Sequence, residues 1–294
     1  MEQVAWFKHS VSYPDVMNST ILLIQCADRP GLIYRITSVV YRHKLNIISN
    51  SEFVEHTLNY FFMRTEFSGI FDEHEFIEEL RTTLPPDAQI KLSALRKRNI
   101  CLLVTREYHC LSDLLVRHSF QELDANIQCV ISNYQNLEDL TRKFNIPYHY
   151  VSHENKTREE HEAELLQLIT PCEPEFLVLA KYMRILSPGF IQQFPNRIIN
   201  IHHSFLPAFM GASPYVQAYE RGVKIIGATA HFVNANLDEG PIIAQSVIPV
   251  AHTHNAKEMA QAGRDVEKMV LARSLKLVLG DRVFVYNNRT VIFD

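Results

Sequence analysis

The sequence predicts an α/β protein with two domains: a ferredoxin-like α+β domain, followed by a doubly wound, mostly parallel sheet. Residues 19–92 contain short apolar runs and amphipathic segments in the order βαββαβ, which is typical of a small sheet with two helices on one face. From residue 100 onward, apolar runs alternate with helical patterns, as in parallel sheets. The last third changes to runs that indicate antiparallel or mixed strands.

The first domain is expected at residues 19–93, after an N-terminal extension at 1–18. Residues 21–26 are mostly apolar and predict a buried strand. The segment Asp28-Arg29-Pro30-Gly31 indicates a helix start, because Asp28 can cap free amide groups and Pro30 suits the first turn. Apolar side chains then recur at helical spacing through residue 43. Further strands are predicted at 46–54, 60–67 and 89–92, with a second helix at 73–83.

A linker at 94–98 is expected before the second domain at 99–294, and its charged run Arg96-Lys97-Arg98 is expected to be exposed. Residues 100–104 form an apolar run typical of a central parallel strand. Further strands are predicted at 126–132, 148–151, 176–180 and 198–201, with helices at 111–118, 137–144 and 159–169. The final part predicts strands at 228–233 and 242–250, a helix at 256–277, and a hairpin of 282–286 and 290–293.

The charge and cysteine content limit the partners and the location. With 294 residues and a formal net charge of −4, the chain has no general electrostatic attraction to nucleic acid or to anionic membranes. The first ten residues lack the pattern of a secretory signal, and no run is long enough for a membrane helix. The cysteines are odd in number and widely spaced, which predicts reduced thiols and a cytoplasmic location.

Glycine is absent between Gly69 and Gly189. The turn after the 100–104 strand therefore lacks the GxGxxG pattern of a dinucleotide site and the GxxxxGK pattern of a phosphate loop. No nucleotide cofactor is predicted, although parallel sheets often bind one. His109 lies in this turn, and it is expected either to fill part of the space of such a loop or to cap the next helix.

The densest group of polar residues lies between residues 197 and 245. Asn200 and His202 are two residues apart at the end of a predicted strand, so their side chains point to the same side. His231 lies on an alternating strand, and Asp238 lies in a downstream loop. Taken singly, a histidine at a strand end or an aspartate in a turn is usually structural. Their joint occurrence beside Asn200 predicts one polar site.

The βαββαβ order, with Asp28-Arg29-Pro30-Gly31 after an apolar strand, resembles an ACT domain, a small regulatory module of many amino-acid and one-carbon enzymes. The resemblance implies an amino-acid effector bound between paired domains, and hence a homo-oligomer, with glycine and methionine as candidates. The regulatory residues that it implies are Asp28, Arg29, Gly31 and Asn46. A ferredoxin-like domain without a ligand is the alternative, since a fold alone does not define function.

The second domain resembles the folate-dependent formyltransferase and formyl-hydrolase superfamily over essentially its whole length. In that family an asparagine, a histidine two residues later and a downstream aspartate form the active site, matched here by Asn200, His202 and Asp238. Residues 177–190 resemble the family's folate-binding segment, and the 233–238 loop would close the other side of the pterin ring. The substrate-binding residues implied by the resemblance are Met183, Arg184, Leu186, His231, Val233 and Asn234.

Within that superfamily, the resemblance favours the hydrolases, which release formate from 10-formyltetrahydrofolate and so supply purine synthesis. An ACT-like domain precedes the catalytic domain, and His203 follows His202 where amine transferases commonly have proline. Without a glycine-rich loop to hold a phosphate-bearing amine, water is the expected acceptor. His203 and Ser204 are otherwise expected to be structural, because neighbours on a strand point to opposite faces. Two departures from the family pattern are Ser213, where lysine or arginine is expected, and Val216, where histidine is expected.

We expect a hydrolysis in which Asn200 and His202 stabilise the oxyanion while Asp238 orients the attacking water. Accepting a proton from water favours a partly dehydrated Asp238 with a raised pKa. No metal, nucleotide or other cofactor is predicted, and the resemblance implies 10-formyltetrahydrofolate as the substrate. The alternatives are a formyltransferase that delivers the formyl group to an amine acceptor, and an inactive folate or amino-acid sensor.

Overall fold

The structure is a computed structural model that describes residues 19–208 and 214–294. The chain divides into two compact units, one ending at Leu95 and the other beginning at Arg96. The predicted extension at 1–18 and the departure at Ser213 lie outside the described residues. No described helix is both long enough and apolar enough to cross a membrane.

The first unit has the predicted βαββαβ order. Its elements are β1 (Ser19–Ala27), α1 (Leu32–Arg42), β2 (Asn46–Glu55), β3 (Tyr60–Ser68), α2 (Glu73–Thr83) and β4 (Gln89–Ala94). The strands form an antiparallel sheet in the order β2-β3-β1-β4. Alternate side chains of β1, including Leu22 and Ile24, pack in one core with Ile36 of α1 and Phe76 of α2. Both helices therefore cover the same face of the sheet, as predicted.

The start of α1 differs from the prediction. The helix begins at Leu32 after an N-cap at Gly31, which has a left-handed backbone (φ 86°) and provides no capping side chain. Asp28 instead donates its backbone N–H to the carbonyl of Asn59 at 2.8 Å. The predicted capping by Asp28 is wrong, because the left-handed turn that glycine permits at position 31 places the preceding residues outside the first helical turn.

The second unit is built on a seven-stranded sheet. Its strands are β5 (Arg98–Val104), β6 (Ala125–Ser132), β7 (Tyr148–Tyr150), β8 (Phe176–Leu179), β9 (Ile198–His202), β10 (Ile225–Phe232) and β11 (Ile242–Pro249). They lie in the order β11-β10-β9-β8-β5-β6-β7. The strands from β9 through β7 in this order are all parallel, whereas β10 pairs antiparallel with β9 and with β11. The prediction of a mostly parallel sheet with antiparallel strands in its last third is confirmed.

Helices cover both faces of this sheet. They are α3 (His109–Ser119), α4 (Glu138–Arg142), α5 (Arg158–Ile169), α6 (Pro188–Ile191), α7 (Pro214–Glu220) and α8 (Ala256–Leu279). Side chains alternate along β5, so that Ile100 and Leu102 pack in the core with α3 and α8, while Leu103 packs in the opposite core with α5. A hairpin of β12 (Val283–Tyr286) and β13 (Arg289–Ile292) follows α8.

Two features of the second unit differ from the prediction. Three short segments, α6, α7 and a 3-10 turn at Thr170–Cys172, are not predicted from the sequence pattern. They are too short to show a helical repeat. Arg98, expected in an exposed link, is buried at the start of β5. Its guanidinium forms ion pairs with Glu175, at 2.7 Å, and with Asp281. These partners are distant in sequence, so the charged run alone does not reveal that Arg98 is buried.

Candidate active site

A cavity of about 340 Å³ lies at the carboxyl ends of β8 and β9. Ligands of open α/β sheets bind at this end of the strands. The cavity wall includes every residue predicted for catalysis or substrate binding: Asn200, His202, Asp238, Met183, Arg184, Leu186, His231, Val233 and Asn234. The structure therefore brings the predicted site residues together around one space.

Asn200 is oriented by a histidine on the neighbouring strand. Asn200 of β9 and His231 of β10 are direct partners in the strand register. The side-chain amide of Asn200 donates from Nδ2 to Nε2 of His231 at 3.2 Å, and Nδ1 of His231 donates to the carbonyl of Phe232 at 2.9 Å. Because Nε2 accepts, the ring carries its proton on Nδ1. The second N–H of the Asn200 amide can therefore donate a hydrogen bond to a molecule bound in the cavity.

Asp238 approaches the same group from a loop. Its Oδ2 lies 3.4 Å from Nδ1 of His202, and its Oδ1 lies 3.7 Å from Nε2 of His231. Burial raises the pKa of Asp238, but the hydrogen bond and charge interaction with His202 outweigh burial and hold the pKa well below its ordinary value. The predicted raised pKa is therefore wrong. The loop placement of Asp238 does not reveal that two imidazole rings face the carboxylate.

Gly240 holds the Asp238 loop against β10, a role that the sequence pattern does not predict. A Cβ atom at position 240 would lie 1.7 Å from the carbonyl oxygen of Phe232, so only glycine fits there. This is the carbonyl that accepts the hydrogen bond from His231. The backbone N–H of Phe232 also donates to the carbonyl of Pro241 at 2.9 Å. Gly240, within the segment Asp238-Glu239-Gly240-Pro241, is the sequence feature that could have indicated this close backbone contact.

Another part of the cavity wall is a loop at residues 183–187 that has apolar side chains and a backbone held by hydrogen bonds. The backbone N–H of Met183 donates to Oγ1 of Thr105 at 2.9 Å, and that of Ser187 donates to Oε1 of Glu162 at 2.6 Å. These contacts fix the backbone of residues 183–187 at both ends. Leu186 is buried, whereas Met183 is exposed. The cavity has the mostly apolar lining with a few convergent polar groups that is common in small-molecule sites.

A buried ionic group lies behind the polar cluster. The carboxylate of Glu267 accepts hydrogen bonds from Nε2 of His109 and from the hydroxyl of Tyr215, both at 2.7 Å, and it pairs with Nζ of Lys181 at 3.2 Å. Burial raises the pKa of Glu267, but these partners outweigh it and lower the pKa to about 2. His109 therefore begins α3 with its side chain in an ion-paired cluster, rather than capping the helix. Its lone position in the sequence gave no sign of the pairing with Glu267.

The placement of His203 contradicts the strand-alternation argument. His203 lines the same cavity as His202, and the two rings stack with centroids 4.8 Å apart and planes at 18°. Side chains alternate between the two faces only within a strand, and β9 ends at His202. His203 therefore does not have to point away from His202. Ser204 is buried and donates its hydroxyl to the carbonyl of Ala208 at 2.6 Å, as a structural residue does. Val216, the second departure from the family pattern, is exposed on α7.

Within residues 19–208 and 214–294, two groups of side chains have the donor atoms of a metal site, each with its donors within 4.8 Å of one another. They are Cys101, Cys129 and Cys172 in one group and His109, Cys110 and Glu267 in the other. A hydrogen bond with Cys129 and burial raise the pKa of the Cys101 thiol, and burial raises that of the Cys110 thiol, whereas the hydrogen bond with Cys101 lowers the pKa of Cys129. A raised pKa favours the thiol over the thiolate that binds metals. The carboxylate of Glu267 is already matched by Lys181.

The residues predicted for regulation lie in the first unit. Asp28, Arg29 and Gly31 belong to the turn between β1 and α1, and Asn46 begins β2 opposite Ser68 of β3. Arg29, Gly31 and Asn46 are exposed, and Asp28 is partly buried. Effector binding at these positions stays a prediction.

The fold and the polar site define an α/β enzyme domain preceded by a small α+β domain. Residues 98–275 match the formyl transferase family, and residues 20–83 match the ACT domain. The chain therefore belongs to the formyl transferase family and carries an ACT domain before its catalytic part.

Several proteins named formyltetrahydrofolate deformylase are similar to this chain over nearly its whole length. Formyltetrahydrofolate deformylase of Haemophilus influenzae is 54% identical over 277 residues, covering 94% of this chain and 100% of that protein. The Escherichia coli protein of the same name is 55% identical over 272 residues, covering 92% and 97%. The crystal structure of a formyltetrahydrofolate deformylase from Pseudomonas syringae matches with a TM-score of 0.91 and 41% identity, covering 96% of each chain.

Proposed function

We propose that the protein hydrolyses 10-formyltetrahydrofolate to tetrahydrofolate and formate. The observation that carries the proposal is the group of Asn200, His202 and Asp238 on the wall of one cavity, in a chain with full-length relatives that are formyltetrahydrofolate deformylases. The pinned backbone of residues 183–187 and the loop that includes Val233 and Asn234 would enclose the flat pterin ring between them. Met183, Arg184 and Leu186 would contact the ring mainly through their backbone.

Asn200 and His202 polarise the formyl group. His231 takes one N–H of the Asn200 amide, so the other is directed to the formyl oxygen. Nε2 of His202 is buried and has no hydrogen-bond partner among residues 19–208 and 214–294, so it is the nitrogen left for the same oxygen. Donors placed where negative charge develops stabilise the transition state, and each contributes about 3 kcal/mol in mutational tests.

Asp238 orients the attacking water. Because its pKa is lowered, the carboxylate stays ionised at neutral pH and accepts a hydrogen bond from the water molecule. Its negative charge also favours a proton on Nδ1 of His202. The Asp238–His202 pair therefore combines an acceptor for water with a hydrogen-bond donor beside the oxyanion.

The proposed step conserves atoms and protons. The water oxygen adds to the formyl carbon, and the carbonyl electron pair moves onto the formyl oxygen. The proton that water loses passes through the Asp238–His202 pair to N10 of the leaving tetrahydrofolate. The C–N10 bond then breaks, the carbonyl re-forms, and formic acid leaves as formate and a proton.

A formyltransferase acting on an amine is the rival function. Purified protein incubated with 10-formyltetrahydrofolate and no amine separates the two. A hydrolase forms formate and tetrahydrofolate in equal amounts, whereas a transferase forms little of either until an acceptor is added. Folate binding without either product would indicate an inactive sensor. Lys156→Met, which removes an ion pair with Glu164 on the protein surface, is a matched control that retains activity.

The finer features of the proposal concern regulation and location. Residues 19–93 form the regulatory domain and residues 99–294 the bulk of the catalytic domain, with an N-terminal extension at 1–18 and a short link between β4 and β5. The ACT domain binds glycine or methionine through Asp28, Arg29, Gly31 and Asn46 in a homo-oligomer. The enzyme acts in the cytoplasm without a metal or other cofactor, and its formate supplies purine synthesis. Formate release measured with and without each amino acid tests the regulatory part.

A further inference from the structure

Lys181 follows β8 and combines two unfavourable features. The residue is 4% exposed, and its backbone is left-handed with a φ of 66°. Burying an ammonium group and holding a residue with a long side chain in this conformation both oppose folding. Features of this kind persist where the surrounding contacts hold them in place, and they concentrate at functional sites. The contacts of the Lys181 ammonium group indicate what it does.

The ammonium group bridges a carboxylate and a histidine. Nζ of Lys181 lies 3.2 Å from Oε2 of Glu267 and 3.2 Å from Nδ1 of His203. An ammonium group can only donate hydrogen bonds, so Nδ1 of His203 accepts. The His203 ring is therefore neutral and carries its proton on Nε2.

The His203 ring lies flat against His202, whose Nδ1 faces Asp238. Tyr215 lies on the α7 side of His203, with ring centroids 6.4 Å apart. Among the described residues, the other titratable and charged groups around the two stacked rings include Lys181, Glu107, His109, His231, Asp238 and Glu267. A carboxylate therefore faces His202, whereas an ammonium group faces His203.

We propose that Lys181 and Glu267 are positioning residues that act through His203. They hold His203 as a neutral ring against His202, so that the proton of the stacked pair stays with His202 and Asp238. The effect on turnover rests on the proposed hydrolysis, whereas the protonation pattern does not.

Electrostatics explains why His203 is neutral while the proton stays with His202 and Asp238. Two protonated imidazole rings at this separation repel each other, and a proton on Nδ1 of His203 would face the ammonium group of Lys181. A proton on Nδ1 of His202 instead faces the carboxylate of Asp238. A neutral aromatic ring stacked on a cationic one is favourable. Glu267 compensates the charge of Lys181 and is itself held by His109 and Tyr215.

The protonation pattern can be observed directly by nitrogen NMR of protein labelled at histidine. His203→Asn identifies the His203 signals by their loss. We expect the wild type to show Nδ1 of His203 without a proton and Nε2 with one, and Lys181→Met to abolish this fixed tautomer. A proton on Nδ1 of His203 in the wild type would overturn the proposal, and this measurement requires no variant at Lys181.

A double-mutant cycle tests the consequence for turnover. We expect Lys181→Met to lower kcat for formate release at least about tenfold, with KM changed by less than about threefold. In a His203→Asn background, the same substitution should lower kcat further by less than about twofold. Equal losses in both backgrounds would show that Lys181 does not act through His203.

Further variants separate positioning from folding. Glu267→Gln keeps hydrogen-bonding groups in place of the carboxylate but removes the charge that holds Lys181, so we expect a loss of kcat that also vanishes in the His203→Asn background. Lys156→Met should leave both the His203 signals and kcat unchanged. If the wild type releases no formate, the proposed hydrolysis fails, whereas the His203 signals still decide the protonation pattern.

Discussion

Oδ2 of Asp238 lies 3.4 Å from Nδ1 of His202. This contact holds the pKa of Asp238 well below its ordinary value although burial acts in the opposite direction. The carboxylate is therefore ionised throughout the neutral range. Asp238 serves as an anion that orients water and holds the imidazole ring of His202 by its Nδ1 side, rather than as a residue that stores the proton.

Replacing Asp238 with asparagine removes this charge but retains the shape of the side chain. Asp238 has a left-handed backbone (φ 57°), which asparagine also tolerates, so we expect a folded protein. The kcat for formate release should fall at least about 100-fold, while tetrahydrofolate binding measured by calorimetry should change little. Asp265→Asn, at an exposed ion pair on α8, is the matched control. Near-normal turnover of Asp238→Asn would rule out the assigned role.

Asn200→Ala removes the proposed amide donor to the formyl oxygen. Because that hydrogen bond strengthens as negative charge develops, we expect kcat to fall about 100- to 1000-fold with little change in KM. Steady-state kinetics with 10-formyltetrahydrofolate measures both values. A loss confined to KM would mean that Asn200 binds the substrate and the transition state equally well.

Gly240→Ala tests the link between the Asp238 loop and His231. The added methyl group would collide with the carbonyl of Phe232 and approach Nδ1 of His231, so the hydrogen bond between them cannot remain as it is. We expect a loss of about 2 kcal/mol in the free energy of unfolding and a fall in kcat of at least about tenfold. Gly189→Ala is the control, since its methyl group meets only Oγ of Ser187 at 3.9 Å. Equal effects of the two substitutions would contradict the assigned role.

Glu267→Gln should flatten the dependence of stability on pH. The pKa of Glu267 falls from 4.5 to about 2 in the folded protein, so its contribution is fully present above the ordinary value and is lost as the pH falls towards the folded one. Between about pH 7 and about pH 3, the wild type should lose about 2 kcal/mol more unfolding free energy than the variant does.

Urea unfolding at several pH values measures this difference. Glu164→Gln, which removes a surface carboxylate paired with Lys156, should retain the pH dependence of the wild type. Parallel curves for the wild type and Glu267→Gln would show that the buried carboxylate makes no such contribution.

Much of the fold was predictable because it rests on local patterns. The run at residues 100–104 indicates a parallel strand in a sheet that is covered on both faces, and β5 does send Ile100 and Leu103 into opposite cores. The predicted helix at 73–83 coincides with α2, where Asp72 caps the first turn by accepting a hydrogen bond from the N–H of Glu75. The burial of Arg98 was not predicted because its ion-pair partner Asp281 is far away in the sequence. The cap of α1 was predicted wrongly because the left-handed backbone of Gly31 leaves no periodic signal.

The sequence by itself determined the two-part architecture, the family and the residues that line the site. Periodic burial leaves its mark on neighbouring residues, and the Asn-His-Asp spacing resembles that of a known family. Only the tertiary structure decided the charge of Asp238, the stacking of His203 on His202 and the burial of Lys181 beside Glu267. Protonation and ring orientation depend on distances of a few ångströms between residues far apart in the chain, and no local pattern contains those distances.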